Sequence, residues 1–222
     1  MGIYIEALIL YIILFLAGSV GAIGNIPAEV AEFSVFAELN RIILYSIPSL
    51  ALIWYLLLRG KKPKNMGIRP GLKPCKNDLV SGIIALPCLL VTGFAIALIS
   101  MYAGGHSAQA PVSFPASVSD WTVLGISCIF AAYLEESFFR YYLLSKRKDF
   151  NMGQVQALIF STLLFSVCHI YEGPWGFLNS IISGVILAFL FMRYQTLHGI
   201  AIAHGLYNIA VYVINSMLMK LV

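Results

Sequence analysis

Seven apolar runs follow one another along this chain, parted only by short breaks of charge, proline or glycine. They fall at about 3–23, 41–58, 79–103, 121–144, 153–170, 176–193 and 197–219. A helix needs about 20 apolar residues to cross the ~30 Å hydrocarbon core of a bilayer. In that medium every backbone N–H and C=O must be satisfied by its own segment, which leaves helices as the natural spanning element for runs of this length. The pattern predicts an all-α, polytopic transmembrane bundle. Seven spans consume about 140 of the 222 residues. Only short loops remain, so residues 1–222 read as a single integral-membrane domain. Sixty per cent hydrophobic and 11% charged residues fit neither a disordered chain, an ordinary soluble enzyme nor a nucleic-acid binder.

The few charges are placed unevenly. Arg59, Lys61, Lys62, Lys64, Arg69, Lys73 and Lys76 crowd one break, and Lys146, Arg147 and Lys148 another. Short loops rich in Lys and Arg stay on the cytoplasmic side. This orients the chain in a cell membrane with the N-terminus and both basic loops inside, and with the 104–120 loop, which holds Asp120 and no Lys or Arg, outside. The basic clusters also suit contact with anionic lipid. Met1 to Glu6 carries no basic residue, so the first run reads as a retained span rather than a signal peptide. Residues 24–40, with Glu29, Glu32 and Glu38 among apolar spacers, are expected to form an amphipathic interfacial helix. Cys75, Cys88, Cys128 and Cys168 form no C-x-x-C pair, which argues against a disulfide framework or a thiolate metal site.

Ionisable residues within a bilayer cost several kcal/mol and point to function by default. The fourth run contains Glu135, Glu136 and Arg140, the fifth ends at His169, and the seventh holds His198, His204 and Asn208. Glu136 and Arg140 are i, i+4 and can pair on one helical face. Glu135 lies about 100° round the helix and lacks an intrahelical cation. A histidine, water or metal must satisfy it, and a carboxylate so placed can act as a general base. His204 and Asn208 share a face and bring hydrogen-bond donors, as oxyanion stabilisation requires. His169 is placed to orient the same water as Glu135 or to serve as a ligand. His198 reads as structural, and His106 receives no role. The residues alone leave catalysis, interhelical glue and a proton-coupled pathway open.

Three motifs in order, Glu135-Glu136-x-x-x-Arg140, Phe165-x-x-x-His169 and His204-x-x-x-Asn208, resemble the signatures of the CPBP family of intramembrane proteases. That family is also called Abi, or CAAX protease and bacteriocin-processing, and it includes the type II CAAX prenyl endopeptidases. The resemblance covers about residues 120–210, which would be the catalytic core. It implies that Glu135 and His169 activate water, that His204 and Asn208 bind the oxyanion, and that Glu136 and Arg140 support them. It also implies an eight-helix bundle around a water-filled cavity open to the cytosolic side, one helix more than the apolar runs provide.

The expected activity is hydrolysis of a peptide bond in a membrane-associated substrate, of the prenylated CAAX type or another. Two rivals use the same scaffold: a non-catalytic bacteriocin-immunity or scaffold protein, and a proton-coupled transporter. A divalent metal such as zinc would take Glu135, His169 and His204 as ligands. It would leave no obvious base unless Glu136 abandoned Arg140, so a metal-independent mechanism is favoured. The aromatics Phe138, Phe139, Tyr141 and Tyr142 are expected in the core, with some of them available to wall the cavity. One difficulty is visible in advance. Helical rise from the cytoplasmic ends puts Glu135 at ~15 Å depth, His204 at ~10 Å and His169 at ~24 Å, so the fifth span must be tilted, broken or set deeper.

Overall fold

The computed structural model describes residues 2–18, 32–59, 75–103 and 114–219. Among them are seven helices and no strand. Helix α1 is Gly2–Tyr11, continued by a π-helical turn over Ile12–Leu16. Then follow α2 (Val35–Arg59), α3 (Lys76–Tyr102), α4 (Val118–Leu144), α5 (Gln154–Val167), α6 (Gly173–Tyr194) and α7 (His198–Met219). Each apolar run has become one helix. Five are long and apolar enough to cross a membrane, whereas α1 and α5 are shorter.

Two boundaries differ from the sequence expectation. Residues 19–31, which include the first eight positions (24–31) of the expected interfacial helix, lie outside the described residues. Its last part is instead the start of α2. The Ser34 hydroxyl caps that helix by accepting from the Ala37 N–H, and Glu38 pairs with Arg41 at 2.6 Å. That pairing lets two charges enter a spanning helix. The fifth span is also cut short. Helix α5 has 14 residues, about 21 Å of rise, and stops at Val167. The chain then turns through a 3₁₀ turn at Ile170–Glu172 and through Gly173 at φ 80°, where a side chain would be strained. Pro174 follows in the first turn of α6, a position that needs no backbone donor.

Close approaches hold α7 against its neighbours. A Cβ on Gly199 would lie 2.0 Å from the Asp78 carbonyl oxygen of α3, and one on Gly205 2.6 Å from Ile129 Cδ1 of α4. Absent side chains let the backbones meet, the usual device in membrane bundles. The core beside them is aromatic. Phe138, Phe139 and Tyr142 are wholly buried, Phe138 stacks on Tyr142, and Phe15 of α1 packs on Phe138 and Phe139. Helix α1 is tied to α5 by a hydrogen bond from Tyr11 to the Leu164 carbonyl.

Interhelical bonds also fix direction. Arg41 meets Ser127, and Trp54 meets Ser137, so α2 and α4 run parallel. Glu6 of α1 lies 3.6 Å from Lys146, just beyond α4. Asn77 at the start of α3 donates to the Tyr194 carbonyl at the end of α6. One end of the bundle thus gathers Arg59, Lys76, Lys146, Arg147, Lys148 and Arg193. The opposite end is where α2, α4 and α6 begin and where α5 and α7 finish.

Candidate active site

Helix α4 presents Cys128, Ala131 and Glu135 to a cavity of about 410 Å³. Their i, i+3, i+7 spacing puts them on one face. The turn after α5 contributes His169, and α7 contributes His204 and Asn208. The four residues expected to act together therefore line one space. The expected depth mismatch does not keep His169 from the other three, since all four line this cavity. The histidine sits in a turn rather than at the far end of a spanning helix.

The two adjacent glutamates have different surroundings. Glu136 and Arg140 are both fully buried, with Arg140 Nε 3.2 Å from Glu136 Oε2. The guanidinium lies over the Phe165 ring at 4.6 Å, and Arg140 Nη2 donates to the Gly184 carbonyl at 3.4 Å. Charge pairing and stacking on one planar group hold the centre of the bundle. Glu135 instead keeps 21% of its side-chain surface exposed, and its Oε2 makes no hydrogen bond to a protein donor.

His204 connects them. Its Nδ1 donates to Glu136 Oε1 at 3.0 Å, while Nε2 lies 3.7 Å from Glu135 Oε2. That second distance exceeds a direct hydrogen bond and suits a shared reacting group. The bond to Glu136 fixes the ring, so the supporting role of Glu136 extends to His204 as well as to Arg140. His169 is set independently, by Nδ1 donating to the Phe165 carbonyl at 2.8 Å. In the neutral ring this leaves Nε2 as an acceptor. Phe165 packs against both histidine rings, with centroids 4.6 Å from His169 and 5.9 Å from His204.

A metal on Glu135, His169 and His204 requires all three donors about one point at roughly 2.0–2.2 Å. No group of three or more His, Cys, Asp or Glu among the described residues is so arranged. Both histidines bond through Nδ1 and leave Nε2 toward the cavity, as a metal-ligating histidine also does; no step is routed through a metal.

Other expectations resolve plainly. Phe138, Phe139, Tyr141 and Tyr142 are core residues; Phe165 supplies the aromatic wall. His198 bonds Tyr133 at 3.1 Å, away from the cavity, and His106 lies outside the described residues. Sequence reasoning missed Arg41, Glu172, Asn179 and Tyr207, all of which line the cavity. Asn179 donates to the Tyr207 hydroxyl at 3.0 Å. Glu172 folds back over the first turn of α6, where a Cβ on Gly176 would sit 2.3 Å from Glu172 Cβ.

The cavity runs from Glu135 and His204 toward the end where α4 and α6 begin, reaching Arg41 and Asn215. That is the end away from the basic residues.

Fold and site together define a helical membrane protein with a carboxylate–histidine centre enclosed between helices. Residues 117–210 match the family described as type II CAAX prenyl endopeptidase Rce1-like. Over that segment the chain is similar to the type II CAAX prenyl endopeptidases. No curated protein and no solved structure matches it.

Proposed function

We propose that this protein is an intramembrane endopeptidase that cuts a membrane-associated protein by water activation at Glu135 and His169. The observation that carries the reading is the convergence of Glu135, His169, His204 and Asn208, from three separate parts of the chain, on one cavity. Glu135 takes a proton from water, and the oxygen attacks the scissile carbonyl. The acceptor Nε2 of His169 orients that water. The Asn208 amide and, in its doubly protonated form, His204 Nε2–H donate to the oxyanion. Glu136 and Arg140 touch no substrate; they hold His204 and the helix junction. A protonated Glu135 then returns its proton to the leaving amine.

A second cavity supports a substrate bearing a lipid chain. It measures about 470 Å³, lies between α2 and α4, and is lined by Leu50, Ala51, Trp54, Ile129, Phe130 and Tyr133. Its wall is nearly all apolar, which suits a prenyl or acyl chain. The test is cleavage of prenylated and unmodified peptides by purified wild type and Glu135→Gln in mild detergent. General base removal is expected to cost about a thousandfold with the fold retained, and prenylated peptides are expected to be preferred. Equal cleavage by both proteins removes Glu135 from the chemistry. No cleavage by folded wild type shifts the reading to a binding or immunity protein.

A further inference from the structure

Helix α5 ends inside the bundle, and its last carbonyls have to find partners. A helix leaves its final C=O groups without N–H donors of its own, and in an apolar medium an unmet carbonyl is expensive. The Cys168 and His169 N–H groups both turn to the Ser166 carbonyl. Neither reaches the carbonyl four residues back, so those of Leu164 and Phe165 are met by side chains. The His169 ring takes the second, its Nδ1–H donating to the Phe165 carbonyl at 2.8 Å. The first is met from another helix. The hydroxyl of Tyr11, at the end of α1, donates to the Leu164 carbonyl at 3.0 Å. The Cys168 thiol lies against both groups, 3.3 Å from that carbonyl oxygen and 3.5 Å from the hydroxyl. Tyr11 is buried, and its ring packs against Phe15, Phe138 and Phe139, so packing aims the hydroxyl. Helix α1 lies outside the family match and carries none of the three motifs.

Without the Tyr11 hydroxyl, the nearest repair is to continue α5. The Cys168 and His169 N–H groups would then bond the Leu164 and Phe165 carbonyls in the ordinary helical pattern, and Gly173, at positive φ, would stop the chain a few residues later. A backbone N–H on the Phe165 carbonyl competes with the His169 ring for it. The ring then loses the acceptor that holds its proton on Nδ1, and Nε2 is no longer fixed as the bare acceptor. We propose that Tyr11 is a positioning residue: by capping Leu164 it keeps His169 in the Nδ1–H tautomer, and so makes α1 part of the site. The catalytic value of that tautomer rests on the peptidase reading; the cap itself does not.

The test uses the full chain in detergent, isotopically labelled at its histidine nitrogens. Proton–nitrogen NMR spectra tell a protonated ring nitrogen from a bare one, and the signals lost in His169→Gln assign the residue. In the neutral ring of the wild type, His169 is expected to carry its proton on Nδ1. Tyr11→Phe deletes the hydroxyl and keeps the ring packing; it should turn His169 into a mixture of tautomers. Tyr11→p-fluorophenylalanine fills the hydroxyl's space without a donor and should do the same. With a farnesylated peptide as substrate, kcat in both variants should fall about tenfold at unchanged KM, a part of what a positioned proton-transfer group contributes. Tyr4→Phe is the control. It removes a comparable bond at the other end of α1, from Tyr4 to the Phe150 carbonyl. Its thermal midpoint should fall as that of Tyr11→Phe does, with tautomer and kcat unchanged. An Nε2–H tautomer in the wild type overturns the proposal, as does an unchanged tautomer in Tyr11→Phe or an equal change in Tyr4→Phe. The spectra are read without turnover. A tautomer change in a protein whose wild type cuts no peptide keeps the cap and sinks the peptidase reading; cleavage with full kcat in Tyr11→Phe does the reverse.

Discussion

Glu135 and Glu136 are neighbours in the chain, yet one helical step sends them into different environments. Glu136 is sealed between Arg140 and His204, while Glu135 borders the cavity. Removing one partner of a buried ion pair leaves an uncompensated charge, at a cost of about 3–5 kcal/mol. Arg140→Ala is therefore expected to unfold well before wild type in a denaturant titration followed by helicity. Arg140→Lys should recover little of the loss, because an ammonium cannot reproduce the planar stack on Phe165. The joint change Glu136→Gln with Arg140→Met should restore much of the stability while cleavage stays low, since His204 loses its charged partner. At this scale the sequence was informative wherever a polar residue stands alone in an apolar run. Glu135, His169, His204 and Asn208 were legible for that reason. Arg41 was not, because it sits at a run border and its partner Ser127 is 86 positions away. That kind of pairing belongs to the fold and has no local signature.

Helix α7 carries His204 and Asn208, the proposed oxyanion pair, on an element whose position is set by glycines. At Gly205 the nearest atoms of Ile129 include its Cα at 3.0 Å, so no rotamer change makes room for a side chain. Gly205→Leu must push α7 away from α4 and lengthen the 3.7 Å separation between His204 and Glu135. Misplacement of reacting groups by about 1 Å costs roughly a hundredfold. The expected outcome is a loss of kcat/KM of that order in a protein that still purifies as a folded species. Gly176→Ala acts on the opposite wall: its Cβ meets Glu172, and activity should fall if that carboxylate has to stay folded over α6. Helix existence was legible for all seven elements because apolar runs of span length leave the backbone little choice. The early end of α5 was harder to see. Apolar residues continue through Cys168 and Ile170, and what stops the helix is a glycine at positive φ followed by Pro174. The expected depth of His169 already called for a tilted, broken or deeper fifth span, and the Gly173-Pro174 pair marks where the chain turns.

The whole molecule sets two arguments about sidedness against each other. Eleven of the 14 Lys and Arg residues lie in or beside the breaks at 59–78, 145–152 and 194–197: Arg59, Lys61, Lys62, Lys64, Arg69, Lys73, Lys76, Lys146, Arg147, Lys148 and Arg193. The bias of Lys and Arg in short loops sets orientation, so those breaks are expected in the cytoplasm. The cavity reaches the other end, at Arg41 and Asn215, and by the same rule it is approached from outside. An impermeant maleimide applied to intact spheroplasts decides the matter. On a background with Cys75, Cys88, Cys128 and Cys168 replaced, Asn215→Cys should be labelled from outside, and Lys148→Cys only after the membrane is opened. With that outcome, the substrate presents its cut site on the non-cytoplasmic face, and a lipid-anchored or exported protein becomes the natural substrate. The reverse labelling would make this chain an exception to the charge bias and would place the cavity where cytosolic prenylated proteins reach it. Either result leaves the internal geometry of the site unchanged, because Glu135, His169, His204 and Asn208 are fixed to one another by the bundle and not by the side of the membrane it faces.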